Sequence, residues 1–265
     1  MIFALALGAA ACSGPESKQE DPDSGVPPEP EIVVFSDELL ESQIRRQMGK
    51  PQGDITLAEA EAVEYLDFRE PDPSAPSPRI EDISALKYFK NLKGLDLSYQ
   101  NVEDLSSIAE LTKLEGLNYW GAENVKSGFS ALAGMTNMLD LTIAGTQGEG
   151  IKFTNDDMQY LAGMKNIEML WIQGAKELTD IGVCAGFKKL YRLNVDYTGV
   201  SDLRPAAGLT SLVQMDLRGS QVRDLSPLKD LVNLKELYLE GCPVVDYSPL
   251  KDIYPNLEKK DFELK

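Results

Sequence analysis

The sequence predicts an α/β solenoid: short parallel strands stacked in register, joined by tight returns and closed at the N-terminal end by helices. Three observations predict it. An apolar pattern recurs at intervals of 22 to 29 residues, the second halves of several units are near copies, and a helix-forming segment precedes the first unit.

The repeats carry the fold. Triplets of the form apolar-x-x-apolar-x-apolar start at Val63, Leu92, Leu114, Met138, Ile167, Leu190, Leu212 and Leu234, with a degenerate ninth at Leu257. Alternating apolar residues make a short strand with one face inward. The second halves Val102-Glu-Asp-Leu105-Ser-Ser-Ile108, Val200-Ser-Asp-Leu203-Arg-Pro-Ala206 and Val222-Arg-Asp-Leu225-Ser-Pro-Leu228 return the chain through a tight turn, and Pro227 and Pro249 suit the start of a 3₁₀ segment. One unit cannot bury its own apolar side, so units must stack. The expected architecture is a leucine-rich-repeat horseshoe: nine parallel strands on a concave sheet, with 3₁₀ segments and turns on the convex side. Three residues past the strands stand Gln100, Thr198, Ser220 and Cys242. That is a place where small polar side chains bond neighbouring backbone, so Cys242 is expected to be structural. Cys184 occupies the repeat position of Ile108 and Leu228 and is expected to be a small buried hydrophobe.

Residues 31–62 read as an N-terminal helical cap ahead of a repeat domain spanning 63–265. Asp37 to Met48 places Leu40, Ile44 and Met48 on one helical face, and Gly49 and Pro51 end the helix. Thr56 with Glu59 forms a capping box that opens a second short helix. Such a cap covers the open edge and apolar end of the first strand.

Residues 1–11 are an uncharged apolar stretch ending in small residues, as in a secretory signal. The run Ala9-Ala10-Ala11-Cys12 resembles a bacterial lipobox, which implies lipid attachment at Cys12. Residues 12–30 are Pro-rich and acidic with almost no large apolar side chains, and are expected to be a disordered linker. The expected location is outside the inner membrane, with the chain anchored in the bacterial envelope, at the outer membrane or cell surface.

Composition narrows the function. The chain has a net charge of −17, a pI near 4.5 and no histidine. A polyanion repels nucleic acid, and the commonest general base and metal ligand is missing. No cofactor, metal site or catalytic residue is expected, and contact with a membrane is expected only through the lipid. Acidic pairs between strand leucines read as solvent-facing filler.

Residues between and just after the strand apolar positions are expected to face the open concave surface. That places Trp120, Trp171, Arg218, Tyr238, Asp96, Asp196, Asp216 and Glu240 there, with Tyr191, Arg192 and Tyr197 close by. Trp, Tyr and Arg are the residue types that dominate interface energy. A binding patch is therefore expected, centred on Trp171, Tyr238, Trp120 and Tyr191. Two insertions break the period: the Pro-rich segment 70–79 and the segment 144–157. In the second, Asn155, Asp156 and Asp157 lack a calcium-loop spacing, and a solvated loop with Thr154 or Asn155 capping a helix is expected.

The segment FSDELLESQIRRQMGKPQGDITLAEAEAVEYLDF at Phe35 to Phe68, with the unit DLSPLKDLVNLKELYL at Asp224 to Leu239, resembles the internalin type of bacterial leucine-rich-repeat protein over residues 31 to 265. The resemblance implies recognition of a protein through the concave sheet. The expected function is binding of a protein partner by a monomeric envelope lipoprotein. The alternatives are an architectural envelope component without a specific partner, or an enzyme accessory or inhibitor.

Overall fold

The computed structural model describes residues 31–70, 74, 76–146 and 150–264. The signal segment, Cys12 and the linker lie outside the described residues.

The cap forms as its sequence dictates. Helix α1 (Glu38–Met48) starts at Asp37, whose carboxylate accepts from the backbone N–H groups of Leu39 and Leu40, and stops at Gly49 in the left-handed conformation. Leu40 and Ile44 are buried and Met48 half-buried, so the four-residue spacing does point one face inward. Helix α2 (Leu57–Glu61) opens with the Thr56–Glu59 capping box. The other oxygen of Asp37 accepts from Glu81 N at 2.8 Å and Asp82 N at 3.2 Å. One carboxylate thus caps α1 and ties it to the first repeat. Burial pushes its pKa up, but four backbone N–H donors outweigh that and hold it below the usual aspartate value.

Among the described residues, one parallel sheet of nine strands follows in sequence order: β1 (Tyr65–Asp67), β2 (Gly94–Asp96), β3 (Gly116–Trp120), β4 (Asp140–Ala144), β5 (Met169–Gln173), β6 (Arg192–Asn194), β7 (Gln214–Asp216), β8 (Glu236–Tyr238) and β9 (Lys259–Lys260). Register is uniform, with Leu66, Leu95, Leu117, Leu141, Leu170, Leu193, Met215 and Leu237 side by side and Lys260 as the ninth member. The apolar members of that row are at most 3% exposed. In the first eight units the third position of the triplet is buried as well, including Tyr119, whose hydroxyl donates to Gln100 O at 3.0 Å and so satisfies its polar end.

The returns are 3₁₀ segments, with Pro205, Pro227 and Pro249 in the first turns of Arg204–Ala206, Ser226–Leu228 and Ser248–Leu250. An aspartate precedes several of them and accepts the backbone N–H two residues on: Asp104 from Ser106, Asp202 from Arg204, Asp224 from Ser226 and Asp246 from Ser248. These local bonds replace the helical partners that the first N–H groups lack. Beyond the strands, Thr198 Oγ1 donates to Val195 O at 2.6 Å, and Cys242 Sγ donates to Leu217 O at 2.9 Å beside Ser220 Oγ. Cys242 is therefore a rung of the inter-repeat ladder. Cys184 is fully buried, and burial pushes its thiol up to about 12.

The expanded fourth unit folds its insertion inward at Ile151 and Phe153, and Phe153 meets Phe129 edge to face at 5.1 Å. Thr154 and Asp157 form a capping box on α3 (Asn155–Gln159). Asn155 Oδ1 accepts from the backbone N–H of Thr179 and of Asp180, so it ties this turn to the next repeat.

Candidate functional site on the open strand face

Two-residue alternation puts three columns of side chains on the face opposite the core. Strand pairing defines the first two: Tyr65, Gly94, Gly116, Asp140, Met169, Arg192, Gln214 and Glu236, then Asp67, Asp96, Asn118, Thr142, Trp171, Asn194, Asp216 and Tyr238. Trp120, Ala144 and Gln173 share one row of the third column.

Past the third column six of the repeats turn through a left-handed residue. Glycine supplies it at Gly121, Gly174, Gly219 and Gly241, but Tyr99 (φ 63°) and Tyr197 (φ 54°) adopt it with a side chain. Each tyrosine ring lies over the glycine of the next repeat. A Cβ at Gly121 would stand 2.9 Å from Tyr99 Cδ1, and one at Gly219 would stand 2.5 Å from Tyr197 Cδ1. The ring contact offsets backbone strain of about 1–2 kcal/mol per residue.

Trp120 and Trp171 come together although β4 separates their strands. Their rings meet edge to face, with centroids 5.2 Å apart. Thr142 and Ala144 on β4 are small, and both are buried beneath this face. Trp171 Nε1 donates to Gln173 Oε1 at 3.1 Å, which fixes the indole. Beside the pair, between Tyr65 and Met169, lies a depression of about 470 Å³ floored by Gly94 and Gly116.

Toward the C-terminal end the face is charged rather than hollow. Arg218 bonds Asp216 through two nitrogens, one at 2.9 Å, and its guanidinium lies 5.1 Å from the Tyr238 ring centre. Asp216 and Asp196 are each only 2% exposed. Burial, and then the charge of Asp216, push Asp196 up to about 7. Asp196 Oδ1 and Asn194 Nδ2 are buried without hydrogen-bond partners.

Two expectations are corrected here. Asp196 and Asp216 do not present open carboxylates, because Arg218 and its neighbours cover them. The aromatic residues do not converge on one centre: Trp120 and Trp171 group with Tyr65 and Met169, Tyr238 pairs with Arg218 three strands from Trp171, and Tyr191 precedes β6 with Arg192 over its ring at 5.3 Å. Tyr197 and Glu240 are exposed, and Asp96 is half-buried. The aspartates between strand leucines also have local work. Asp67, Asp96 and Asp216 accept the backbone N–H two residues on, at 2.8–3.2 Å. Tyr65, Gly116, Asp140 and Met169 belong to the column one step before the two read from sequence. The same alternation points them outward, so their signal was present in the triplet pattern.

No family model and no curated protein matches the chain. Solved structures do. The chain is similar to internalin C2 of Listeria monocytogenes at 27% identity, with a TM-score of 0.72 over 86% of this chain and 94% of that one. Internalin InlF of the same organism aligns at 23% identity and TM-score 0.60, over 87% and 77% of the two chains. The plant peptide hormone receptor RGFR1, solved in complex with RGF2, shares the fold at 15% identity and TM-score 0.51, over 68% and 30%. The chain thus has the leucine-rich-repeat fold and is similar to internalins over most of both bacterial chains.

Proposed function

We propose that the protein recognises another protein through its open strand face, as a monomer and without catalysis, while held in a bacterial envelope by a lipid on Cys12. The observation that carries recognition is the Trp120–Trp171 pair. Both indoles stand outside the core, half-exposed beside a depression, where packing does not require them. Grouped surface aromatics mark interaction sites, because leaving them in water is unfavourable. A rigid sheet also meets a partner without ordering a loop, which lowers the entropic cost of binding. The similarity to internalins, and the RGF2-bound state of the plant receptor with the same fold, support a polypeptide ligand.

The test is capture from envelope extracts with the immobilised chain. A Trp120→Ala, Trp171→Ala double variant is expected to melt as a folded protein and lose the captured partner. Retention at wild-type affinity puts recognition on another face, and capture of no partner by the wild-type chain favours an architectural role. Attachment is tested separately: Cys12→Ala is expected to move the protein from the membrane to the soluble fraction, and unchanged fractionation refutes the anchor.

A further inference from the structure

We propose that the depression between Tyr65 and the Trp120–Trp171 pair is an anchoring pocket for an arginine side chain of the protein partner. This rests on the reading that the strand face binds a protein. The floor is Gly116, where an added Cβ would meet nothing within 4 Å, so the space above it is open. On one side stands Tyr65, 65% exposed, with its ring lying over Gly94. On the other stand Met169 and the two indoles. Those walls suit a flat, weakly hydrated group that stacks on aromatic faces.

The polar lining selects the charge. Asp67, Asp96 and Asp140 line the depression with Asn118 and Thr142. Asn118 gives its amide N–H to Asp96, and its Oδ1 has no donor. Asp67 is paired with Arg69, and Asp96 accepts from Ser98 N and Asn118. Asp140 is different. Among the described residues no group hydrogen-bonds its half-buried carboxylate. Burial raises its pKa, and Arg192 opposes that only in part, because it forms no ion pair with Asp140 and lies over Tyr191 instead. The lining thus combines negative charge and acceptors with three uncharged donors, the Tyr65 and Thr142 hydroxyls and the Trp120 indole N–H, so its charge is what selects among ligands. A guanidinium carries five donors and no acceptor, which matches this lining. Lysine would meet the charge but not the planar stack.

The chain has two tryptophans, Trp120 and Trp171, so tryptophan emission reports on this site alone. The full chain is titrated with N-acetyl-arginine amide, its neutral citrulline counterpart, N-acetyl-lysine amide and chitotriose. The arginine amide is expected to change the emission saturably, the lysine amide more weakly, and the other two not at all. Asp140→Asn is expected to weaken the response about fivefold. Gly116→Phe, which fills open space on a strand, is expected to abolish it. Should that variant misfold, the Asp140→Asn arm alone decides. Equal responses to arginine and citrulline, an equal response to lysine, a response to chitotriose alone, or no effect of Asp140→Asn overturns the pocket. A captured partner that is lost with the tryptophans but held at wild-type affinity by Asp140→Asn and Gly116→Phe overturns the pocket and leaves protein recognition standing. An arginine response in a chain that captures nothing does the reverse.

Discussion

Trp120 and Trp171 belong to strands that do not touch, two strand spacings or roughly 10 Å apart, yet their rings meet at 5.2 Å. They lean toward each other over β4, where Thr142 and Ala144 leave room. Larger β4 residues at those places would prop the indoles apart. An edge-to-face pair is worth about 0.5–1.5 kcal/mol beyond the area it buries. A double-mutant cycle of Trp120→Ala and Trp171→Ala, read by urea unfolding, should give a coupling in that range. A coupling near zero would mean that the rings do not meet in solution.

Asp37 should be worth more than an ordinary helix cap. Its carboxylate serves Leu39, Leu40, Glu81 and Asp82 at once, so removal leaves donors unpaired at two elements. Asp37→Ala is expected to cost about 1–3 kcal/mol in chemical denaturation. Deleting 31–62 entirely is expected to cause aggregation, visible by light scattering, because the first repeat loses its cover. A soluble truncation with unchanged melting would falsify this role for the cap.

The ring of Tyr197 over Gly219 predicts an asymmetric pair. Gly219→Ala places a methyl against the ring at a φ of +64°, so it should cost about 1–3 kcal/mol. Adding Tyr197→Gly should recover part of that loss by removing both the ring and its own left-handed strain. Gly116→Ala is the control: open space and no left-handed φ predict a change within about 1 kcal/mol of zero. Thermal melts of the four proteins decide it.

The pH dependence has two opposite parts. Asp196 titrates near 7 in the folded chain because burial, and then Asp216, disfavour its charge. Between roughly pH 4 and 7 the folded state holds a proton that the unfolded chain releases. Stability from this group therefore falls as pH rises through that window, by an amount on the order of a few kcal/mol. Asp104 and Asp224 act the other way. The Ser106 and Ser226 hydroxyls, and then the same residues' backbone N–H groups, hold them below the usual value, so their contribution is lost as pH falls below the ordinary aspartate range. Denaturation across pH should show the fall toward neutrality in the wild type and flatten it in Asp196→Asn. An unchanged profile in that variant would remove Asp196 as the cause.

Leu217 tests the register directly. It is fully buried at the third strand position, and Leu217→Ala should cost about 2–5 kcal/mol in unfolding experiments.

The sequence by itself determined the solenoid, its nine strand positions, the capping box at Thr56 and Glu59 and the places of Cys184 and Cys242. Each of these follows from a local rule repeated many times: alternation chooses the buried face, and stacking averages out the irregular unit. It also placed Trp120 and Trp171 outside the core. Only the tertiary structure decided what the outward residues do to one another. Whether Asp196 and Asp216 reach water depends on where Arg218 lies, and whether two tryptophans meet depends on the size of β4 residues from another repeat. Asp140 shows the same limit. Its outward direction was legible in the triplet, but its lack of a donor is a property of the strands on either side. Periodicity fixes the direction of a side chain, whereas burial, pairing and hollowness belong to neighbours that are 20 or more residues away in the chain and about 5 Å away in space.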